Sequence, residues 1–141
     1  MAVINAVSPT DDQIKAFLAG HPAGEPVFML NLLKFKDRAT YKDGEDVSGV
    51  TAYGRYAAAF GEMLRDLDIV GVETVFSGEI VKTLIGQADG EWDSAAIVRY
   101  PDAETMFKTV SSERYRSFYH HRLAGLEGQL LISCTEKAMF S

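Results

Sequence analysis

The sequence predicts an α+β fold, with one domain over residues 1–141. Three observations lead to this prediction. The chain has the usual size of one domain, and its composition, 47% hydrophobic and 24% charged, is that of a globular protein. Its apolar residues switch repeatedly between the period of a strand and that of a helix. The resulting order is helix, strand, helix, strand, strand, helix, strand.

The first element is an N-terminal helix over residues 10–20. Thr10 and Gln13 have the spacing of a capping box, which marks a helix start. Gly20 and Pro22 mark its end, because glycine ends helices readily and proline cannot continue one.

Residues 27–36 form the most apolar run of the chain, with apolar side chains at both odd and even positions. A strand buried on both faces has this pattern, and so does a short buried helix. Pro26 in front of the run and the polar loop 37–49 behind it favour the strand.

The remaining elements are predicted from the spacing of apolar residues and from the positions of turn-forming residues. An apolar stripe predicts a helix from Thr51, and residues 72–85 form a β-favouring run in which Gly78 suits a bulge. An Asp-Gly turn then leads into a strand over 92–100. One helix is predicted over 103–110, and a second begins at Ser111 or Ser112. A last strand over 129–136 completes the order.

Residues 26–137 therefore have the ferredoxin-like order βαββαβ, preceded by an additional N-terminal helix. This arrangement places both long helices on one face of a four-stranded antiparallel sheet. The other face would leave an apolar patch in water, and pairing it with a second copy removes that patch. We therefore expect a homodimer.

Charge and cysteine content exclude several classes of protein. The net charge of -6 and pI of about 5.0 argue against nucleic-acid binding, which needs a basic surface. No apolar run is long enough to span a membrane, and residues 1–7 lack the features of a signal peptide. The single cysteine, Cys134, allows no intrachain disulfide, and its apolar surroundings predict burial. A cytoplasmic location is expected.

Several short motifs together resemble the uncharacterised family called domain of unknown function 1330. They are Met29-Leu-Asn-Leu-Leu-Lys-Phe-Lys36, Tyr53-x-x-Tyr56, the strand 92–100 followed by Pro101-Asp102, and Ser112-Glu-Arg-Tyr115 leading to Arg122. The resemblance implies a dimeric α/β barrel. That superfamily also contains cofactor-free antibiotic-biosynthesis monooxygenases, muconolactone isomerases, chlorite dismutases and dye-decolorising peroxidases.

Polar side chains inside apolar patterns are the candidate site. Asn31 interrupts the apolar strand, so its amide either anchors a neighbouring segment or faces a ligand. Arg122 shares a helical stripe with Tyr115, where a charge needs an internal salt bridge, to Glu73 or Glu79, or an anionic ligand. The full set of candidate substrate-binding residues is Asn31, Lys34, Tyr53, Tyr56, Trp92, Arg99, Tyr115 and Arg122.

These residues favour a small-molecule enzyme without a cofactor, acting by proton transfer, isomerisation or monooxygenation. Such an enzyme needs a cavity of roughly 300 Å³ or more between helices and sheet. A non-catalytic dimeric module that binds a ligand, or one that is purely structural, is the alternative. His120 and His121 are expected at the surface, and no metal-binding spacing occurs. The substrate stays open.

Overall fold

The computed structural model describes residues 6–137. It contains four helices and four strands in that range: α1 Asp11–Gly20, β1 Val27–Phe35, α2 Gly49–Asp66, β2 Glu73–Glu79, β3 Ser94–Tyr100, α3 Ala103–Val110, α4 Glu113–Gly125 and β4 Leu126–Cys134. The strands form one antiparallel sheet of order β2-β3-β1-β4. This is the ferredoxin-like arrangement, with α1 as the additional helix.

Each helix begins at a capping residue that lies directly before it in the sequence. Thr10 and Gln13 form the expected capping box of α1, with each side chain bonded to the other's backbone N–H. Ser48, Asp102 and Ser112 cap α2, α3 and α4 in the same way, by accepting a backbone N–H from the next turn.

The helix-facing side of the sheet carries the core. Residues opposite each other in neighbouring strands share a face, so Val27, Met29 and Leu33 of β1 point the same way as Tyr100 of β3. Val27, Met29 and Tyr100 are buried and pack against Phe17 of α1. The helix side is therefore covered over the two central strands, β1 and β3.

The opposite side of the sheet, which we call the open face, has no described helix on it. Its apolar residues are Phe28, Leu30, Leu32, Phe76, Ala95, Ile97, Leu130 and Ile132. Ile132 is 45% exposed and Phe76 54% exposed. The expectation that the helices cover only one face is confirmed.

Several element bounds differ from the sequence prediction. The run predicted as a strand over 72–85 stops at Glu79, and its bulge lies between Thr74 and Phe76 rather than at Gly78. β3 begins at Ser94 rather than at Trp92, which is buried ahead of it in the connecting loop. β4 begins directly at the end of α4, at Leu126 instead of 129.

The predicted burial of Cys134 is wrong, because the thiol is exposed. β4 is an edge strand, and Cys134 lies at its end on the open face, opposite Phe28. An apolar neighbourhood in sequence does not bury a residue when nothing packs on that edge. Among residues 6–137, no helix is long and apolar enough to cross a membrane.

Candidate functional site

Arg122 lies on the inner face of α4, in the last turn of the helix. Tyr115, Phe118 and Arg122 follow each other at three- and four-residue intervals, so they share one face. All three residues are buried, and Arg122 is only 8% exposed. The helical stripe predicted from the sequence is therefore observed, and it carries a guanidinium into the interior.

The guanidinium of Arg122 is held by neutral oxygen atoms. It donates to the backbone carbonyl of Val7, to Oε1 of Gln129, and to Oη of Tyr119 at 3.2 Å. It also lies over the Tyr119 ring, 5.3 Å from the centroid. No salt bridge joins it to a described carboxylate, so the internal pair with Glu73 or Glu79 does not form.

Gln129 links Arg122 to Asn31 of the central strand. Its Nε2 donates to Oδ1 of Asn31 at 2.9 Å, and Asn31 Nδ2 donates to the carbonyl of Met29 at 3.1 Å. Both polar ends of Asn31 are thereby satisfied inside the protein. Sequence reasoning missed Gln129, although a glutamine at the start of the apolar run of the last predicted strand was the available signal.

Three candidate tyrosines lie together between α2 and α4. Oη of Tyr56 and Oη of Tyr115 are hydrogen-bonded at 2.8 Å, and the rings of Tyr53 and Tyr56 are 5.2 Å apart. Burial disfavours the phenolate and raises the pKa of Tyr53 to about 12, although Arg122 opposes this shift. Burial also raises the pKa of Tyr56 and of Tyr115. All three are therefore protonated phenols at neutral pH.

A short N-terminal segment, residues 6–8, covers the Arg122 cluster from outside. The backbone N–H of Gln129 donates to the Ala6 carbonyl at 2.8 Å, and Val7 accepts from Arg122. The hydroxyls of Ser8 and Tyr119 are 2.8 Å apart. Three consecutive residues thus close the site by hydrogen bonds rather than by apolar packing.

The other three candidate residues lie away from Arg122. Lys34 forms an ion pair with Asp93 at 3.3 Å and donates to the carbonyl of Gly90 at 3.0 Å, which ties the loop before β3 to β1. Trp92 is buried in that loop. Arg99 is on the open face, where it lies over the Phe28 ring and bonds to the carbonyl of Gly71.

A second polar cluster joins the loop 37–49 to α2 and α4. Oη of Tyr41 lies 2.6 Å from Nδ1 of His121, and Arg55 stacks on the Tyr41 ring while it pairs with both carboxylate oxygens of Glu45. His120 is exposed as expected, whereas His121 is half-buried. The cluster fixes the loop, and sequence reasoning missed it because Tyr41 is distant from His121 along the chain.

Two cavities among residues 6–137 lie away from Arg122. One, of about 530 Å³, lies between α1 and the end of β4, and the other, of about 360 Å³, lies in the loop 86–91. Aromatic rings occupy the space between the helices, with Tyr115 and Phe118 centroids 5.4 Å apart. Within residues 6–137, no group of three or more His, Cys, Asp and Glu side chains could hold a metal ion.

Comparison with known proteins places the fold but no activity. No family model matches the sequence, and no curated protein matches it. RPA0582 from Rhodopseudomonas palustris, a protein of unknown function, is 29% identical over 96% of this chain and 99% of its own, with a TM-score of 0.84. Its methylated form gives a TM-score of 0.86.

More distant structures share the fold alone. A hydroxynitrile lyase from Passiflora edulis is 10% identical over 84% of this chain and 99% of its own, with a TM-score of 0.58. A dimeric protein of unknown function from Bacteroides fragilis, with a ferredoxin-like fold, is 9% identical over 79% and 96%, with a TM-score of 0.51. The chain thus has the ferredoxin-like fold, and the resemblance to domain of unknown function 1330 stays a prediction.

Proposed function

We propose that this chain forms a homodimer that binds a small organic molecule carrying a carboxylate or enolate oxygen, with Arg122 as its partner. One observation carries the proposal: a buried guanidinium contacts only neutral oxygens among the described residues. A buried charge without a counter-charge is costly, and an anion would offset that cost.

The surroundings of Arg122 suit such a ligand. An arginine fork binds a carboxylate with two parallel hydrogen bonds, and three neutral acceptors leave part of the fork's donor capacity for a ligand. The ligand oxygen would replace the carbonyl of Val7, so the segment 6–8 has to move when the ligand enters. The rings of Tyr53 and Phe118 supply the apolar wall that ligand sites generally have.

Tyr53 would act as a hydrogen-bond donor to the same ligand. No partner for its hydroxyl lies among residues 6–137, and its raised pKa, about 12, keeps the proton on the phenol at neutral pH. A protonated phenol beside an arginine favours an oxygen acceptor. The pair would also stabilise a developing enolate, which is the observation that favours a catalytic role as the second candidate.

Ligand binding is better supported than a catalytic role. Proton abstraction needs a base, and no carboxylate or imidazole is hydrogen-bonded to Arg122, Gln129 or Asn31 within the described residues. The phenols nearby have raised pKa values and are poor bases at pH 7. Isomerisation or monooxygenation without a cofactor would depend on a base supplied by the substrate or by another segment.

The dimer rests on the open face. Its half-exposed apolar side chains lie in a continuous row, and sheet-on-sheet packing across a two-fold axis would bury them. The Bacteroides fragilis neighbour is described as dimeric. Light scattering at micromolar concentration should give twice the mass of 15.5 kDa. A monomeric mass would contradict the proposal.

Arg122 is tested by a thermal-shift screen with small aromatic and aliphatic carboxylates. Compounds that raise Tm should do so in wild type and in Arg116→Gln, and the effect should disappear in Arg122→Gln. Arg116 is the matched control because it is an exposed arginine of the same helix, away from both Arg122 and the open face. Arg122→Lys keeps the charge without the fork and should lose most of the effect. A compound that stabilises Arg122→Gln as strongly as wild type would refute the assignment.

Gln129→Glu tests the charge argument directly. The introduced carboxylate would stand where Oε1 of Gln129 already accepts from Arg122, so the cation gains a counter-charge within the protein. We expect at least tenfold weaker carboxylate binding by calorimetry, with the fold retained. Unchanged affinity in Gln129→Glu would show that the charge of Arg122 does not drive binding.

A further inference from the structure

Tyr100, the last residue of β3, is a buried phenol on the helix side of the sheet. It is only 6% exposed, lies opposite Val27 and belongs to the same buried cluster as Met29. Burial raises its pKa, and the neighbouring phenols of Tyr115 and Tyr53 raise it further. Tyr100 is therefore a protonated hydrogen-bond donor at neutral pH.

The hydroxyl of Tyr100 has no hydrogen-bond partner among residues 6–137. The phenols of Tyr56 and Tyr115 differ in this respect, because they are bonded to each other. A buried hydroxyl without a partner is unfavourable, so folded proteins rarely leave one unsatisfied. No fully enclosed polar side-chain atom of the described residues lacks a partner, so the Tyr100 hydroxyl borders space that a water-sized group can enter. An acceptor atom from outside the chain would satisfy this hydroxyl.

Tyr100 and Arg122 belong to two ends of the same interior. Gln129, which accepts from Arg122, also donates to Asn31 of β1. Tyr100 is opposite Val27, four residues from Asn31 along that strand. Four residues of an extended strand span about 13 Å, which is the scale of a small organic acid with a hydrogen bond at each end.

Tyr53 lies between these two ends. Arg122 lowers the pKa of Tyr53, and Tyr53 in turn raises that of Tyr100, whereas Arg122 is not among the groups that shift the pKa of Tyr100. Electrostatic influence falls with distance, so the order along the interior is Arg122, Tyr53, Tyr100. Phe60 packs on the cluster of Tyr100 and also on that of Tyr115. The space between the two ends therefore has an apolar wall.

We propose that Tyr100 donates to a second oxygen atom of the ligand, at the end opposite the carboxylate that Arg122 binds. The ligand is then an acid with an apolar middle part and a neutral oxygen acceptor, such as a carbonyl, at its far end. This inference rests on the proposed function and names the class of ligand that the same site takes. The far oxygen is neutral, because the only charged residue of β3, Arg99, lies on the open face and offers it no cation.

Two pairs of compounds test the second contact. Para-acetylbenzoate and para-isopropylbenzoate have nearly the same shape, and only the first carries an oxygen opposite the carboxylate. Para-acetylcinnamate and para-isopropylcinnamate repeat the comparison with a longer spacing. Calorimetry with the whole chain measures each affinity. In at least one pair, wild type should bind the acetyl compound about tenfold more tightly or better, because a site built around a donor disfavours an analogue that lacks the acceptor.

Tyr100→Phe removes only the hydroxyl. This variant should bind the acetyl compound about tenfold more weakly than wild type does and the isopropyl compound equally well, so that the preference is lost. Arg122→Gln should weaken the binding of both members of the pair. Tyr41→Phe is the matched control, because the Tyr41 hydroxyl is bonded to His121 in the cluster of the loop 37–49, and it should leave both affinities unchanged.

The outcomes separate the Tyr100 contact from the Arg122 site. If binding depends on Arg122 but the acetyl compound binds no more tightly than the isopropyl compound in either pair, the Tyr100 contact is overturned and the proposed function stands. A preference that persists in Tyr100→Phe, or an equal loss of both compounds in that variant, also overturns the contact. If no compound binds wild type, or if binding does not depend on Arg122, the proposed function and the inference that rests on it fail together.

Discussion

Arg122 shows how far single residues can be read from the sequence. Its burial was predictable, because helical spacing places it with Tyr115 and Phe118 on one face. Its partners were not. The carbonyl of Val7 and the amide of Gln129 come from segments that meet α4 only through the register of β4 and the bridge between Ala6 and Gln129. Contacts of this kind depend on tertiary register, which local patterns do not encode.

His121 is a titratable residue whose environment favours its neutral form. Nδ1 lies 2.6 Å from Oη of Tyr41, and only the neutral ring can accept a hydrogen bond from that hydroxyl at Nδ1. Partial burial, the neighbouring His120 and the guanidinium of Arg55 lower the pKa of His121, and only Glu45 opposes them. The lowered pKa makes this residue a source of pH-dependent stability.

We expect His121 to weaken the fold as the pH falls. A histidine whose pKa is lower in the folded state binds more protons when unfolded, so its contribution is present above the ordinary pKa of 6.5 and is lost below it. In His121→Gln, the decline of unfolding free energy between about pH 7 and pH 5 should be shallower than in wild type. Urea unfolding at several pH values measures this. An unchanged slope in His121→Gln would contradict the assignment.

At the scale of elements, α2 and α4 cross where two glycines face each other. A Cβ on Gly125 would lie 2.5 Å from the carbonyl oxygen of Gly49 and 2.9 Å from the backbone nitrogen of Tyr53. The carbonyl of Gly125 also accepts from the Lys36 N–H at 2.8 Å. The end of α4, the start of α2 and the end of β1 are thereby joined through backbone, which leaves no room for a side chain.

Gly125→Ala should therefore destabilise the fold, although alanine is the better helix former. Overpacking against backbone atoms that cannot give way costs about 1–3 kcal/mol. Gly54→Ala is the control within α2, because nothing lies within 4 Å of its added Cβ. It should stabilise by about 0.5–1 kcal/mol. Denaturant unfolding of both variants decides the point, and equal effects would rule out the close crossing.

Strand limits were harder to predict than helix starts. The capping residues Thr10, Asp102 and Ser112 act on their own helix, so sequence shows them directly. The apolar run 72–85 continues past Glu79, where β2 ends. Its later apolar residues, Val81, Leu84 and Ile85, are almost fully exposed in the loop that follows. A strand ends where its neighbour ends, and that is decided by the sheet.

At the scale of the whole molecule, the two faces of the sheet differ in what covers them. Ile132 and Leu131 are neighbours in β4 with nearly equal exposure, 45% and 46%. Ile132 lies opposite Leu30 on the open face, and Leu131 lies opposite Asn31 on the helix side. The two residues therefore differ in the face of the sheet on which they lie, while their strand and their exposure are nearly the same.

Ile132→Glu should dissociate the proposed homodimer, whereas Leu131→Glu should not. A charge introduced into a sheet-on-sheet interface would be buried without a partner, which is strongly unfavourable. Sedimentation velocity should give a monomer for Ile132→Glu, with a circular dichroism spectrum like that of wild type. If both variants stay dimeric, the interface lies elsewhere. If Leu131→Glu alone dissociates, it lies on the helix side.

The sequence by itself determined the order of elements, the helix caps, the buried stripe of α4 and the uncovered sheet face. These follow from local periodicity and capping chemistry, which act over one or two turns. Only the tertiary structure decided the neutral partners of Arg122, the separation of Lys34, Trp92 and Arg99 from it, and the exposure of Cys134. These depend on strand register and on which edge of the sheet a residue occupies, and contacts between distant segments set both.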